Sequence, residues 1–237
     1  MNVITNNERL ISIMQATFPK GRPKLIEWLK QNPITKRKLR LIFHEAGHAT
    51  AIYLNNKARM LPPVFFLISL NTISNLSENN FKFDQASHSF MEGGRLIESL
   101  PPSIKALVDQ SVNPMAFTKE YMSVLEADII NLLMGPLAEA KHVAEIDNQP
   151  FNRRLVNLQA LKNYGGSSKL AVVEDYLQSF STSQQERDRK LDALYTVAFK
   201  FLNGHENWAA IAKLANHIVN NDQNSIRYED VASVLEP

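Results

Sequence analysis

Apolar residues recur at intervals of three and four along most of the 237-residue chain, which is the spacing of one face of an α-helix. This spacing predicts helices at residues 6–17, 23–31, 35–56, 103–111, 118–146, 153–162, 168–179, 183–203, 205–220 and 227–235. Helices that follow one another through short connections are typical of a mainly helical fold.

A different pattern covers residues 63–91. The β-branched and aromatic run Val64-Phe-Phe-Leu-Ile-Ser-Leu70 precedes an alternating segment, Asn80-Phe-Lys-Phe-Asp84. Such runs are typical of strands, so they predict a hairpin or small sheet, followed by an irregular, mobile loop from Glu92 to Pro102. Because glycine and proline do not cluster into a linker, we expect a single domain over residues 1–237, mainly α with a small β-hairpin or sheet.

The composition narrows the chemistry. A chain that is 44% hydrophobic can bury a core, and one without cysteine has no disulfide, thiolate nucleophile or cysteine-ligated metal. Any metal must therefore be held by the six histidines, by Asp or by Glu. The formal net charge of +2 is too small to indicate a nucleic-acid partner.

Targeting signals are not evident. Glu8 and Arg9 interrupt the N-terminal segment where a signal peptide needs an apolar core. The longest apolar-rich run, Leu61 to Leu70, contains two prolines and is about half the length that a membrane span requires. We therefore expect a cytoplasmic protein without a membrane partner.

The most informative segment is His44-Glu-Ala-Gly-His48, which lies inside the predicted helix at 35–56. Residues four apart share a helix face, so His44 and His48 can bind one ion. Glu45 would then lie beside that ion and accept a proton from a bound water. This pattern predicts a hydrolytic zinc site, with Gly47 marking a close approach of another element.

Three segments together resemble the peptidase domain of the FtsH family of ATP-dependent zinc metalloproteases. The first is His44-Glu-Ala-Gly-His-Ala49, the second is Leu132-Leu-Met-Gly-Pro-Leu-Ala-Glu139, and the third is Tyr164-Gly-Gly-Ser-Ser-Lys-Leu170. The resemblance covers roughly residues 35–220 in order. It implies an FtsH peptidase-like helical domain in which two histidines bind zinc and the glutamate is the general base.

One residue departs from the family pattern. The resemblance implies that the third zinc ligand is an Asp, but Lys169 stands at that position, and a protonated lysine has no lone pair for a metal. Glu139 is the first substitute as third ligand, and His142, about one turn further along the same helix, is the second. His88 is a more remote alternative.

The chain also lacks a Gly-x-x-x-x-Gly-Lys-Ser/Thr phosphate loop, so it encodes no nucleotide-driven unfolding module. We expect a zinc metalloendopeptidase that acts on peptides or unfolded proteins, alone or with a separate ATPase partner. The resemblance implies that substrates lie along a β-edge, for which Val64, Phe66 and Ile68 are the candidates. The helices at 183–203 and 205–220 are amphipathic and could pack in the core or in a homo-oligomer. The alternative function is a catalytically silent relative that serves as a binding or regulatory module.

Overall fold

The computed structural model describes residues 33–70, 90–221 and 223–236. Its helices are α1 (Pro33–Ala58), α2 (Ile104–Asp109), α3 (Pro114–Ile146), α4 (Gly166–Phe180), α5 (Gln184–Asn203), α6 (His205–Val219) and α7 (Tyr228–Leu235). Its strands are β1 (Phe66–Ser69), β2 (Met91–Gly93) and β3 (Ser225–Arg227), and a 3-10 helix covers Ala160–Tyr164. The prediction of a mainly helical fold with a small sheet is confirmed. The predicted helices at 6–17 and 23–31 and the predicted strand at 80–84 lie outside the described residues.

Helices α1 and α3 form the centre of the fold and pack extensively against each other. Glycines allow this close approach. A Cβ at Gly47 of α1 would lie 2.5 Å from the Cβ of Ala138 and 2.7 Å from the backbone oxygen of Met134, both on α3. A Cβ at Gly135 of α3 would overlap the ring of His48 on α1. The predicted close approach at Gly47 is therefore confirmed.

The sheet is antiparallel, with strand order β2-β1-β3. Phe66 pairs with Gly93 of β2, and Ile68 pairs with Met91 of β2 on one side and Ile226 of β3 on the other. Strand β1 therefore has a neighbour on both sides. This corrects the prediction that the run from Val64 to Leu70 provides a free edge for a substrate.

Two local predictions differ from the structure. Residues 153–159 form turns instead of the predicted helix, with the 3-10 helix only at Ala160–Tyr164, and strand β3 was not predicted. Strand β3 is three residues long with one buried side chain, Ile226, which is too short for a period of two to be visible. Pro136 lies inside α3, so that helix continues through the position where a new segment could have begun.

The segment between β2 and α2 is irregular, as predicted, but Glu92 and Gly93, which were expected to begin the loop, belong to β2. A buried carboxylate also fixes this segment to α3, which does not fit the predicted mobile loop. The backbone N–H groups of Leu96 and Ile97 each donate to an Asp128 oxygen, both at 2.9 Å. The hydroxyl of Tyr176, on α4, also donates to Asp128 at 2.9 Å. Burial raises the pKa of Asp128, and these three hydrogen bonds oppose that shift.

A single hydrophobic cluster draws buried residues from all seven helices and from β1 and β3. Within residues 33–70, 90–221 and 223–236, no helix combines the length and hydrophobicity that crossing a membrane requires.

Candidate metal and catalytic site

The three motif side chains project from the buried middle of α1. His44, Glu45 and His48 are 5%, 1% and 3% exposed, and the imidazole centroids of the two histidines are 4.9 Å apart. Ionisable residues are rarely buried to this degree without a partner or a function. The structure thus places both histidines together on one helix face, as the spacing predicts.

The orientation of His48 is fixed by a backbone carbonyl. Its Nδ1 lies 2.8 Å from the backbone oxygen of Asn131 on α3. Because a carbonyl oxygen only accepts, Nδ1 carries the proton and Nε2 of the neutral ring keeps the lone pair. The Asn131 side chain is itself held by Asn55 at 3.0 Å and by Asn56 at 3.1 Å. This amide network holds the carbonyl that selects the tautomer of His48.

The orientation of His44 is fixed in a similar way, by a carboxylate. Nδ1 of His44 lies 2.9 Å from Oε2 of Glu139, and the other oxygen of Glu139 accepts from Nε of Arg40 at 2.9 Å. A carboxylate that binds a guanidinium accepts hydrogen bonds, so Nδ1 of His44 donates to Glu139 and Nε2 is the ring nitrogen that remains for a metal. Metal-binding histidines in proteins commonly have such a partner on the second ring nitrogen.

Two buried polar atoms at this site have no hydrogen-bond partner in the described structure: Nε2 of His48 and Oε2 of Glu45. The other oxygen of Glu45 accepts from the N–H of Phe90 at 3.1 Å. Buried polar atoms are normally satisfied, so two unpaired acceptors within one turn of α1 are unusual. An imidazole nitrogen and a carboxylate are what a zinc ion and its water would bind, so these residues fit a zinc site.

The protonation states of these groups have a common physical cause. Burial raises the pKa of Glu45, while the nearby charges of His44 and Lys169 oppose the shift. Burial, with the charge of Lys169, holds the pKa of His48 well below its usual range. A neutral His48 beside a carboxyl of raised pKa is the state that suits a ligand beside a general base.

Glu139, the predicted third ligand, stays a prediction, and its contacts favour another role. Both oxygens of Glu139 are engaged, by His44 and by Arg40, so this geometry favours an orienting role over the predicted ligand role. His142 instead stacks on Phe43, with ring centroids 3.8 Å apart, and burial lowers the pKa of His142 to about 3. The described part of the chain contains no group of three His, Asp or Glu residues placed to hold one ion. His88 lies outside it.

Lys169, the residue that departs from the family pattern, lies in the first turn of α4. Its charge acts on both Glu45 and His48. Burial lowers the pKa of Lys169, and the charge of Glu45 opposes that shift. Lys169 thus acts electrostatically on the candidate base, without an ion pair between them among the described residues.

A cleft of about 680 Å³ opens beside His48 and Lys169. Its polar lining includes His48, Asn131, Arg95, Glu98 and Lys169. Its apolar lining includes Ile52, Val64, Phe65, Leu132 and Val172, and the backbone of Gly93 and Gly94 completes one side.

The structure places the three predicted substrate-edge residues in different surroundings. Val64 lines the cleft, although its side chain is largely buried. Phe66 and Ile68 are buried in the central strand, where their backbone groups face β2 and β3. Among the described strands, β2 is an edge strand, and both Met91 and Gly93 line the cleft.

Several site residues were not singled out by the sequence. Asn131, Asn55 and Asn56 fix His48, and Arg40 fixes Glu139. A signal was present, since Asn131 is a polar residue within a long apolar run of α3. The basic run at the start of α1 is also paired: Lys36 lies 2.7 Å from Asp147, and Arg40 lies 2.8 Å from Glu139.

Comparison with known proteins gives no relative: no family model, no curated protein and no solved structure matches this chain.

Proposed function

We propose that this chain is a zinc metallopeptidase-like hydrolase of the FtsH peptidase type, in which His44 and His48 hold the ion and Glu45 is the general base. One observation carries the proposal: both histidines are bound through Nδ1, while Nε2 of His48 and Oε2 of Glu45, on the same helix, are buried and unpaired. Arranging these atoms without a ligand would cost free energy of about 1–3 kcal/mol for each unpaired group.

Each residue of the site would have its own role in the proposed hydrolysis. A bound zinc ion would supply an acidified water and polarise the scissile carbonyl. Glu45 would accept a proton at Oε2 and later pass it to the leaving amine, while the N–H of Phe90 holds Oε1 in place. Because burial raises the pKa of Glu45, its carboxylate is a stronger base than an exposed glutamate.

The substrate would be a peptide or an unfolded protein segment lying in the cleft. Since β1 is occupied on both sides, β2 (Met91–Gly93) takes over the role of the edge to which an extended peptide can add. Main-chain hydrogen bonds of this kind select for extended backbone with little dependence on side chains. A cytoplasmic location, a homo-oligomer and a separate ATPase partner belong to the same proposal and derive from the sequence alone.

A specific observation also favours the second candidate, a catalytically silent binding or regulatory module. The charge of Lys169 acts on Glu45 and His48, and the described residues offer no third ligand. In that case the fold would be retained for binding in the cleft, without hydrolysis.

Metal analysis separates the two candidates. The full chain, purified without added zinc and then dialysed against a small excess of it, is measured for zinc content beside a His44→Ala variant. About one zinc per chain, lost in the variant, supports the hydrolase, and casein cleavage that disappears in Glu45→Gln assigns the base. Absence of zinc even after addition overturns the hydrolase and supports the silent module.

A further inference from the structure

Two cations of the cleft have no part in the proposed reaction. Lys169 and Arg95 both line the cleft. Burial lowers the pKa of Lys169, and the charge of Arg95 adds to that shift. The charge of Arg95 also acts on Tyr176 and Asp128.

Lys169 has no anion in contact. Among the described residues, no carboxylate lies within ion-pair distance of its ammonium, although the charge of Glu45 acts on it from further away. Glu98 lines the same cleft but forms no ion pair with either cation in that part of the chain. Two cationic side chains that line one cleft, with no carboxylate in contact among the described residues, favour an anionic ligand there.

We propose that Lys169 and Arg95 bind a free carboxylate of the peptide, so that the cleft selects substrates carrying a carboxylate close to the bond beside Glu45. This inference rests on the proposed function in taking a peptide as the ligand.

The rest of the cleft favours a peptide over a bare inorganic anion. Val64, Leu132 and Val172 provide apolar walls, and Phe65 is 66% exposed at the rim. Strand β2 adds a backbone edge beside them. Ligand sites with mostly apolar walls and a few convergent polar groups are typical of organic ligands.

The test uses the full-length Glu45→Gln variant, which binds without cleaving, and three fluorescein-labelled peptides of one sequence. The first ends in a free carboxylate, the second in an amide, and the third is the amide with one residue replaced by Asp. Fluorescence anisotropy should show the free acid binding at least about tenfold more tightly than the amide, as expected for charged hydrogen bonds. Adding Lys169→Gln should remove the difference, whereas Lys162→Gln, at an exposed lysine of the 3-10 helix, should leave it unchanged.

The three peptides show which carboxylate, if any, the cleft recognises. Tight binding of the first peptide assigns a C-terminal carboxylate, and tight binding of the third assigns an acidic side chain as the recognised group. Equal binding of all three, or binding of none, overturns the inference, even if the native protein cleaves casein with zinc. Conversely, a carboxylate preference in a protein that binds no zinc leaves the inference standing and overturns the proposed hydrolase.

Discussion

Oε2 of Glu139 lies 2.9 Å from Nδ1 of His44, so the carboxylate holds the nitrogen on the opposite side of the ring from Nε2. Arg40 binds the other oxygen of the same carboxylate, 2.8 Å from Nη2. This chain of contacts joins the start of α1, the middle of α3 and the first histidine of the motif.

Removal of the Glu139 carboxylate should weaken zinc binding without abolishing it. Partners on the second ring nitrogen typically contribute about 10–100-fold to metal affinity. We therefore expect a loss of that size in Glu139→Ala and a smaller loss in Glu139→Gln, which keeps an acceptor. Competition with a chromophoric zinc chelator measures both.

Arg40→Gln provides the companion variant. Arg40→Gln should lose less zinc affinity than Glu139→Ala. The double variant should bind zinc no more weakly than Glu139→Ala alone, because Arg40 acts through the Glu139 carboxylate. Arg154→Gln, at an exposed arginine of the 151–159 segment, serves as the control. Complete loss of zinc in both Glu139 variants would instead restore Glu139 as a ligand.

Gly135→Ala should damage the site although alanine favours helices. In an open helix this change stabilises a protein by about 1 kcal/mol. Here the added Cβ would overlap the ring of His48, so His48 or the backbone of α3 must move, at a cost of about 1–3 kcal/mol. The melting temperature and the zinc affinity should both fall. An unchanged zinc affinity would show that the ring of His48 can move aside without losing its position at the site.

Glu45→Gln should stabilise the metal-free protein at pH 8. Burial raises the folded-state pKa of Glu45, so the carboxyl stabilises the fold below the unfolded-state value near 4.5 and loses that contribution as the pH rises through its folded-state pKa. A neutral amide avoids this loss. We expect a gain of about 1 kcal/mol, or about 2–4 °C in Tm, at pH 8 and a smaller gain at pH 4. If Glu45→Gln and the native protein had the same Tm at pH 8 and also at pH 4, a raised pKa of Glu45 in the folded protein would be contradicted.

His142→Phe should flatten the decline of stability in acid. Burial lowers the folded-state pKa of His142 to about 3 from a usual 6.5, with the charges of Arg40 and Lys36 adding to the shift. The neutral ring thus stabilises the fold above pH 6.5, and that contribution is lost as the pH falls from 6.5 towards 3. Phenylalanine keeps the stack on Phe43 but binds no proton.

Urea unfolding at pH 7, 6 and 5 measures this slope. The native protein should lose up to about 1.4 kcal/mol more per pH unit than His142→Phe, the value for one proton. Parallel pH profiles would indicate that His142 becomes protonated without unfolding the surrounding core.

Helical spacing in the sequence predicts the major elements well, because α1, α3, α5 and α6 are long and bury one consistent face. The same spacing misplaces residues 153–159, where a short apolar repeat is satisfied by turns. Strand β3 depends on pairing with β1, which is far away in the chain, so three residues alone carry no visible pattern.

The candidate site, like the fold, is predictable where it depends on local spacing and not where it depends on contacts distant in the sequence. His44, Glu45 and His48 share one helix, so local spacing brings them together. The contacts that give them their chemistry come from other elements: Asn131 and Glu139 from α3 and Lys169 from α4. Spacing along one helix cannot distinguish a metal ligand from a residue that holds a ligand, because both require a carboxylate at the same helix face. This is why Glu139 was assigned to the ion and not to the ring of His44.

The central position of β1 also sets an order for synthesis on the ribosome. Its second partner, β3, is separated from it by almost every helix of the fold, so the pairing of Ile68 with Ile226 must wait until nearly the whole polypeptide has emerged. Pairings so distant in sequence close slowly. Until they close, the side of β1 that will meet β3 is an exposed strand edge, to which unfolded segments of the same nascent chain can add.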